Sequence, residues 1–132
     1  MTRKLINPAG LHPTPGFSHI AVDEVRSVAY IAGQAAIAED FSIVGGDDLE
    51  AQTRTAMKHI GINLEAVSAG WSDIMRRTIY TLYPTEFETI TNAIEEVQQS
   101  SEHPAQSIIG VTGLAVPGML VEIEVTVAIP IG

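Results

Sequence analysis

The sequence predicts an α+β fold in which a mixed sheet of about six strands carries two helices on one face. Two periodicities and their order support this. Apolar residues at Leu49, Ala56, Met57, Ile60, Leu64 and Val67 keep close to the 3.6-residue period, with Glu50, Arg54, Lys58 and Glu65 on the opposite side. Val121, Ile123, Val125 and Val127 instead alternate with Glu122, Glu124, Thr126 and Ala128, as in a strand with one apolar face. Strand-like segments precede, separate and follow the two helical ones, in the order β-β-(β)-α-β-α-β-β.

Residues 5–17 hold three prolines and two glycines and are expected to be extended and irregular. Residues 17–22 and 27–32 read as strands, joined by a polar connection short enough for a hairpin. Gly33 marks unusual backbone angles or a close approach. Residues 41–44 read as a short strand ended by Gly45-Gly46. Asp47 or Asp48 then caps the long helix, because a carboxylate accepts from the free N–H groups of the first turn. The helix is expected to end at a C-terminal glycine near Ala69-Gly70. Residues 74–82 are rich in branched and aromatic side chains and read as a strand, with Arg76 and Arg77 requiring at least one exposed position. Thr85 and Glu88 have capping-box spacing for a second helix, whose buried stripe is Phe87, Ile90, Ile94 and Val97. Residues 108–111 and 119–129 read as the last strands. With both helices on one face, the other sheet face is left bare. An aliphatic bare face would have to meet another subunit.

A chain of 132 residues suits one domain, here taken as residues 1–132, and 45% hydrophobic residues suffice for a core. Aromatics supply only 5%, so that core is aliphatic. Seven basic against sixteen acidic residues give a net charge of −9, which repels phosphate backbones and argues against nucleic-acid binding. The absence of cysteine removes disulfides, thiolate catalysis and Cys-based metal sites, and fits a reducing, cytoplasmic setting. No run approaches the roughly 18 apolar residues of a membrane span, and the N-terminal segment does not read as a signal peptide. His12, His19, His59 and His103 lack metal-ligand spacing, and no phosphate loop, nucleophile elbow or dinucleotide fingerprint is present. Neither metal nor cofactor is expected. His103, just before Pro104, is the one histidine worth testing as an acid–base group, although a plain surface histidine is the reading favoured there.

In their order and spacing, several short stretches resemble the RidA/YjgF family, whose better-known members hydrolyse reactive enamines and imines. They are Gly16-Phe17-Ser18, Ala32-Gly33-Gln34, Gln52-Thr53-Arg54, Arg77-Thr78-Ile79-Tyr80, Pro104-Ala105 and the strand around Glu122. The resemblance spans residues 17–128. It implies a chorismate-mutase-like fold, homotrimers whose sheets enclose a central core, and small-molecule clefts between neighbouring subunits. It also implies that Glu122 holds or activates the water attacking an imine carbon, and that the Gly33 N–H binds a ligand carboxylate. Read without it, Glu122 is a solvated strand glutamate, Gly33 a turn or bulge glycine, and Gln106 a plain surface residue.

Three positions depart from the pattern of the active relatives. Phe17 stands in place of a tyrosine, Ala32 in place of a serine, and Gln106 in place of the arginine that clamps the substrate carboxylate. Arginine offers a charged planar fork, glutamine one neutral amide. Losing a buried charged partner costs about 2–5 kcal/mol, so a free 2-imino acid is expected to bind poorly. Gln106, with Ser107 and Ile108 beside it, can instead serve an amide, lactam or uncharged imine. The sequence is therefore read as a hydrolase of a small, neutral or weakly acidic imine or enamine, with Glu122 catalytic. Phe17, Ala32, Gly33, Gln106, Ser107 and Ile108 would line its site. The alternative is a non-catalytic trimer that binds a small metabolite.

Overall fold

A computed structural model describes residues 2–130. The elements run β1 (Arg3–Ile6), β2 (Ile20–Asp23), β3 (Val28–Gln34), α1 (Leu49–Ala66), β4 (Ile74–Thr81), α2 (Phe87–Gln98), β5 (Ala105–Gly110) and β6 (Val121–Ala128). The strands form one six-stranded sheet in the order β1-β2-β3-β6-β4-β5. Among the described residues only the β4–β5 pair is parallel, and α2 is its crossover. The final strand therefore lies at the sheet's centre, which is why its inward residues Val121, Ile123, Val125 and Val127 are all buried.

Those four residues, together with Ile20, Ile31 and Ile79 of the neighbouring strands, pack against Met57, Ile60 and Leu64 of α1 and Ile90 and Ile94 of α2. Ile20, Ile60, Ile79, Ile90, Ile94 and Ile123 have no exposed surface. Each such side chain contributes about 1.5–3 kcal/mol of transfer free energy. As the composition requires, the core is aliphatic. Asp48 caps α1, accepting from the Ala51 N–H at 3.1 Å.

Several sequence expectations are corrected. Leu5 and Ile6 are not irregular but belong to the edge strand β1, which pairs with β2. Residues 41–44 make only an isolated bridge, Ile37 to Ile43. Helix α1 stops at Ala66 without a glycine: Ser68 takes the left-handed conformation (φ 56°), and the Ala69 N–H closes on the Leu64 carbonyl. The Thr85–Glu88 capping box does not form, because Pro84–Glu86 is a 3₁₀ turn and α2 begins at Phe87 with no side-chain cap. Phe87 is 59% exposed, and Ala93 takes its place in the buried stripe. β5 begins three residues earlier than expected, at Ala105.

The sheet face away from the helices is not aliphatic. It presents Tyr30, Thr78, Tyr80, Glu124 and Thr126, and the Tyr80 hydroxyl donates to Glu124 at 2.6 Å. An apolar face in need of cover is therefore no argument for self-association. On the covered side Gln52, Thr53, Asn63 and Thr81 are buried polar groups, and Arg77 is a buried charge. It is 1% exposed, its Nε–H donates to Gln106 Oε1 at 2.5 Å, and its Nη2 donates to His103 Nδ1 at 2.8 Å. Nη1 is buried with no partner among the described residues. Burial lowers Arg77 to about 10, so it stays charged at neutral pH.

Candidate functional site

Across the β3–β6 pair Ile31 faces Val125, but Gln34 faces Ile123. Three steps on one strand match two on the other, so Ala32 and Gly33 form a bulge in β3. The bulge re-aims the strand end toward the loop at residues 12–17 and opens a cavity of ≈ 460 Å³. Phe17, Phe41, Ile37, Val116 and Met119 supply much of its lining, and Ala32, Gly33, His12 and Glu122 complete the part that can do chemistry. This size and mixture suit a small organic ligand.

Glu122 reaches the cavity from the central strand, directly beside the bulge. A Cβ built on Gly33 would come within 2.6 Å of Glu122 Cδ and 2.7 Å of its Cγ. Position 33 is thus glycine because the Glu122 side chain crosses it, a closer approach than the sequence could specify. Burial raises the Glu122 pKa above the ordinary glutamate value, and the Glu124 charge adds to the shift; His12 opposes it. Glu124 faces the same side but is engaged by Tyr80.

The cavity walls are held by polar clasps. The His19 Nε2–H donates to the His12 carbonyl at 3.0 Å, and Gln34 Nε2 donates to His19 Nδ1 at 3.1 Å. His19 is therefore neutral with both ring nitrogens occupied, and burial lowers its pKa. From α1 the His59 Nδ1–H donates to the Ala35 carbonyl at 2.9 Å, and desolvation lowers its pKa too. Gln52, fully buried, donates to the Gly46 and Gly118 carbonyls (2.7 and 2.9 Å) and accepts from the Leu120 N–H (2.9 Å). One side chain thereby ties α1 to the loop carrying Val116 and Met119.

Of the residues singled out from the sequence, Phe17, Ala32, Gly33 and Glu122 meet in this cavity. Gln106, Ser107 and Ile108 do not join them within one chain. They lie on the edge strand β5, with β4 between them and β6. Gln106 is level with Arg77 and Val125, three residues along from Glu122. At ordinary strand spacing and rise the two positions are roughly 14 Å apart. Gln106 accepts from Arg77, the Ser107 hydroxyl accepts from Arg76 at 3.1 Å, and Ile108 packs against the main core. His103 is likewise placed away from the cavity, between Arg77 and Glu95, to which its Nε2–H donates at 2.6 Å.

Sequence reasoning passed over several cavity residues, Phe41 among them, and His12 is the one with a titratable side chain. Its signal was local: Leu11-His12-Pro13-Thr14-Pro15-Gly16 runs directly into Phe17, and the two prolines that follow His12 restrict that backbone. Among the described residues no group of three or more His, Cys, Asp or Glu side chains is placed to hold a metal ion. No helix among them is long and apolar enough to cross a membrane.

The family model for Endoribonuclease L-PSP matches residues 8–129. The chain is 24% identical over 131 residues to the RutC family protein slr0709 of Synechocystis, covering 98% of this chain and 99% of that protein. Among solved structures, YyfB of the Rid protein family from Yersinia pestis is 33% identical with a TM-score of 0.72, covering 97% of this chain and 99% of that one. The protein YJGH superposes with a TM-score of 0.84 at 26% identity over the whole of both chains.

Proposed function

Because the chain belongs to the RidA/YjgF family, matching its Endoribonuclease L-PSP model over residues 8–129, we propose that it hydrolyses a small, apolar imine or enamine. The observation that carries the reading is Glu122: a carboxylate desolvated in a largely apolar cavity, with its pKa pushed up toward the range where a general base works best. It would take a proton from the water that attacks the C=N carbon, while Phe17, Phe41 and Ile37 receive the substrate's apolar part. Among the described residues neither lysine nor arginine lines the cavity, and the net charge is −9. Both argue against a polyanionic substrate such as RNA, and against strong selection for a free carboxylate.

The reading includes assembly. Glu122 and Gln106 belong to separate regions of one chain, and β5 has a free edge. In a homotrimer that sets β5 of one copy beside the cavity of the next, Gln106, Ser107 and Ile108 would complete a cleft between subunits. The test is ammonia release from enzymatically generated imines, neutral and carboxylated, in parallel with light scattering. A trimer is expected, with turnover best on neutral apolar imines and abolished by Glu122→Gln. Equal turnover by wild type and Glu122→Gln would remove the hydrolytic role. Melting shifts with product-like ketones, but no turnover of any imine, would favour a metabolite-binding protein.

A further inference from the structure

The geometry points to His12 as a second catalytic residue of the cavity: the acid that protonates the departing nitrogen while Glu122 acts on the attacking water. The inference rests on the imine-hydrolysis reading and names a residue that reading does not use.

Among the described residues two titratable side chains line the cavity, His12 and Glu122. The four histidines differ in what their ring nitrogens are doing. His19 has both engaged, His103 has both engaged, and His59 is tied to the Ala35 carbonyl without lining the cavity. His12 alone combines a place on the cavity wall with a nitrogen free of partners among the described residues. Its Nδ1–H donates to the Pro13 carbonyl at 2.7 Å, so the remaining ring nitrogen, Nε2, is the one available to a ligand.

The ring is also held in place, as proton transfer requires. It lies 5.3 Å from Phe41, 6.1 Å from Phe17 and 4.9 Å from His19, centroid to centroid. Its own carbonyl is fixed by His19. A residue serving only as packing at this point could be a phenyl ring; the polar edge is what packing leaves unexplained.

The chemistry has work for two groups. Water adds to the carbon of a protonated imine: the C–O bond forms, the C=N π pair moves onto nitrogen, and the water proton passes to the Glu122 carboxylate. The resulting carbinolamine cannot expel its nitrogen as an amide anion. His12, protonated at Nε2, gives that proton to the nitrogen. The C–N bond then breaks with its electron pair leaving on the amine, the C=O bond forms, and the hydroxyl proton returns to His12. The proton held by Glu122 leaves with the amine as ammonium. Nothing is oxidised or reduced, and both side chains end as they began once Glu122 has released its proton.

The test exploits leaving-group basicity. Wild type, His12→Gln, His12→Phe and Glu122→Gln are assayed on paired N-alkyl and N-aryl imines of one apolar aldehyde, with urea midpoints checking that each variant is folded. An alkylamine must be protonated to leave, whereas a weakly basic arylamine needs far less help. Both His12 variants are expected to lower kcat/KM on the N-alkyl imine by ~100-fold or more, and on the N-aryl imine by about tenfold or less. His12→Phe keeps an aromatic ring in place, so its loss cannot be ascribed to packing. His12 variants matching wild type on both imines, with Glu122→Gln inactive, would overturn the role of His12 and leave the hydrolase reading standing. So would equal losses on both. A wild type inert toward every imine would sink both ideas together.

Discussion

Replacing Gly33 by alanine tests the closest contact of the site. The new Cβ would sit 2.6 Å from Glu122 Cδ, and Gly33 is not among the glycines with positive φ, so the backbone itself accepts alanine. Two opposing effects follow. Crowding of this kind costs about 1–3 kcal/mol. Alanine also restricts the unfolded chain, which returns about 0.4–1 kcal/mol. The net result is a destabilisation of about 0–2.6 kcal/mol, relieved by swinging Glu122 away, because its side chain is more mobile than the strand. In a Glu122→Ala background the obstacle is gone, and Gly33→Ala should be neutral to stabilising. Urea denaturation of the four proteins gives a double-mutant cycle, with an expected coupling of about 1–3 kcal/mol. Gly33→Ala should also lose imine turnover while remaining folded, since the displaced carboxylate no longer meets the water. A coupling below about 0.3 kcal/mol would refute the claim that Glu122 dictates glycine at this position.

Two further outcomes are expected. Gln52→Met, which keeps the length but removes both ends of the amide, strands two carbonyls and one N–H. It should cost about 3–5 kcal/mol by urea denaturation, and a cost under about 1 kcal/mol would mean the loop is held by something else. Stability should also fall as pH drops through the ordinary imidazole value of 6.5, because His19 and His59 have lowered pKa values when folded. Below 6.5 the unfolded chain takes up protons that the folded one refuses, so the unfolded state is stabilised relative to the folded one until the folded pKa values are reached. Glu122 works in the opposite sense, its raised pKa favouring the folded state at lower pH, so the measurement belongs in Glu122→Gln. A urea midpoint in that variant that holds steady or rises between about pH 7.5 and 5.5 would contradict the buried, neutral histidines.

How much was legible in the sequence depends on what each feature required. The α1 stripe and the alternation in β6 were visible because both elements have one uniformly buried side, and burial is written directly into periodicity. The ends were harder to read. Ser68 does the work expected of Gly70, since a polar residue tolerates the left-handed turn when the flanking N–H groups find carbonyls. Thr85 and Glu88 have the right spacing, but Pro84 favours a tighter turn and postpones the helix. Phe87 looked like core and is not, because the late start leaves it on the open side of the first turn. Glu122, Gly33, Phe17 and Ala32 could be named because a family pattern carries them, not because any local rule does. His12 and Phe41 lie on irregular segments with no period to read, and only the folded chain brings them to Glu122.

The contact between Arg77 and Gln106 places a condition on any change at position 106. Arginine has donors but no acceptor, so the atom that Gln106 turns toward Arg77 must be its oxygen, leaving the amide nitrogen to face outward. Writing the relatives' arginine into position 106 would set two like charges against each other beside the core, with no oxygen between them. Residue 106 is therefore not independently variable. Substitutions at 77 and 106 are expected to be non-additive, each changing what the other position will accept.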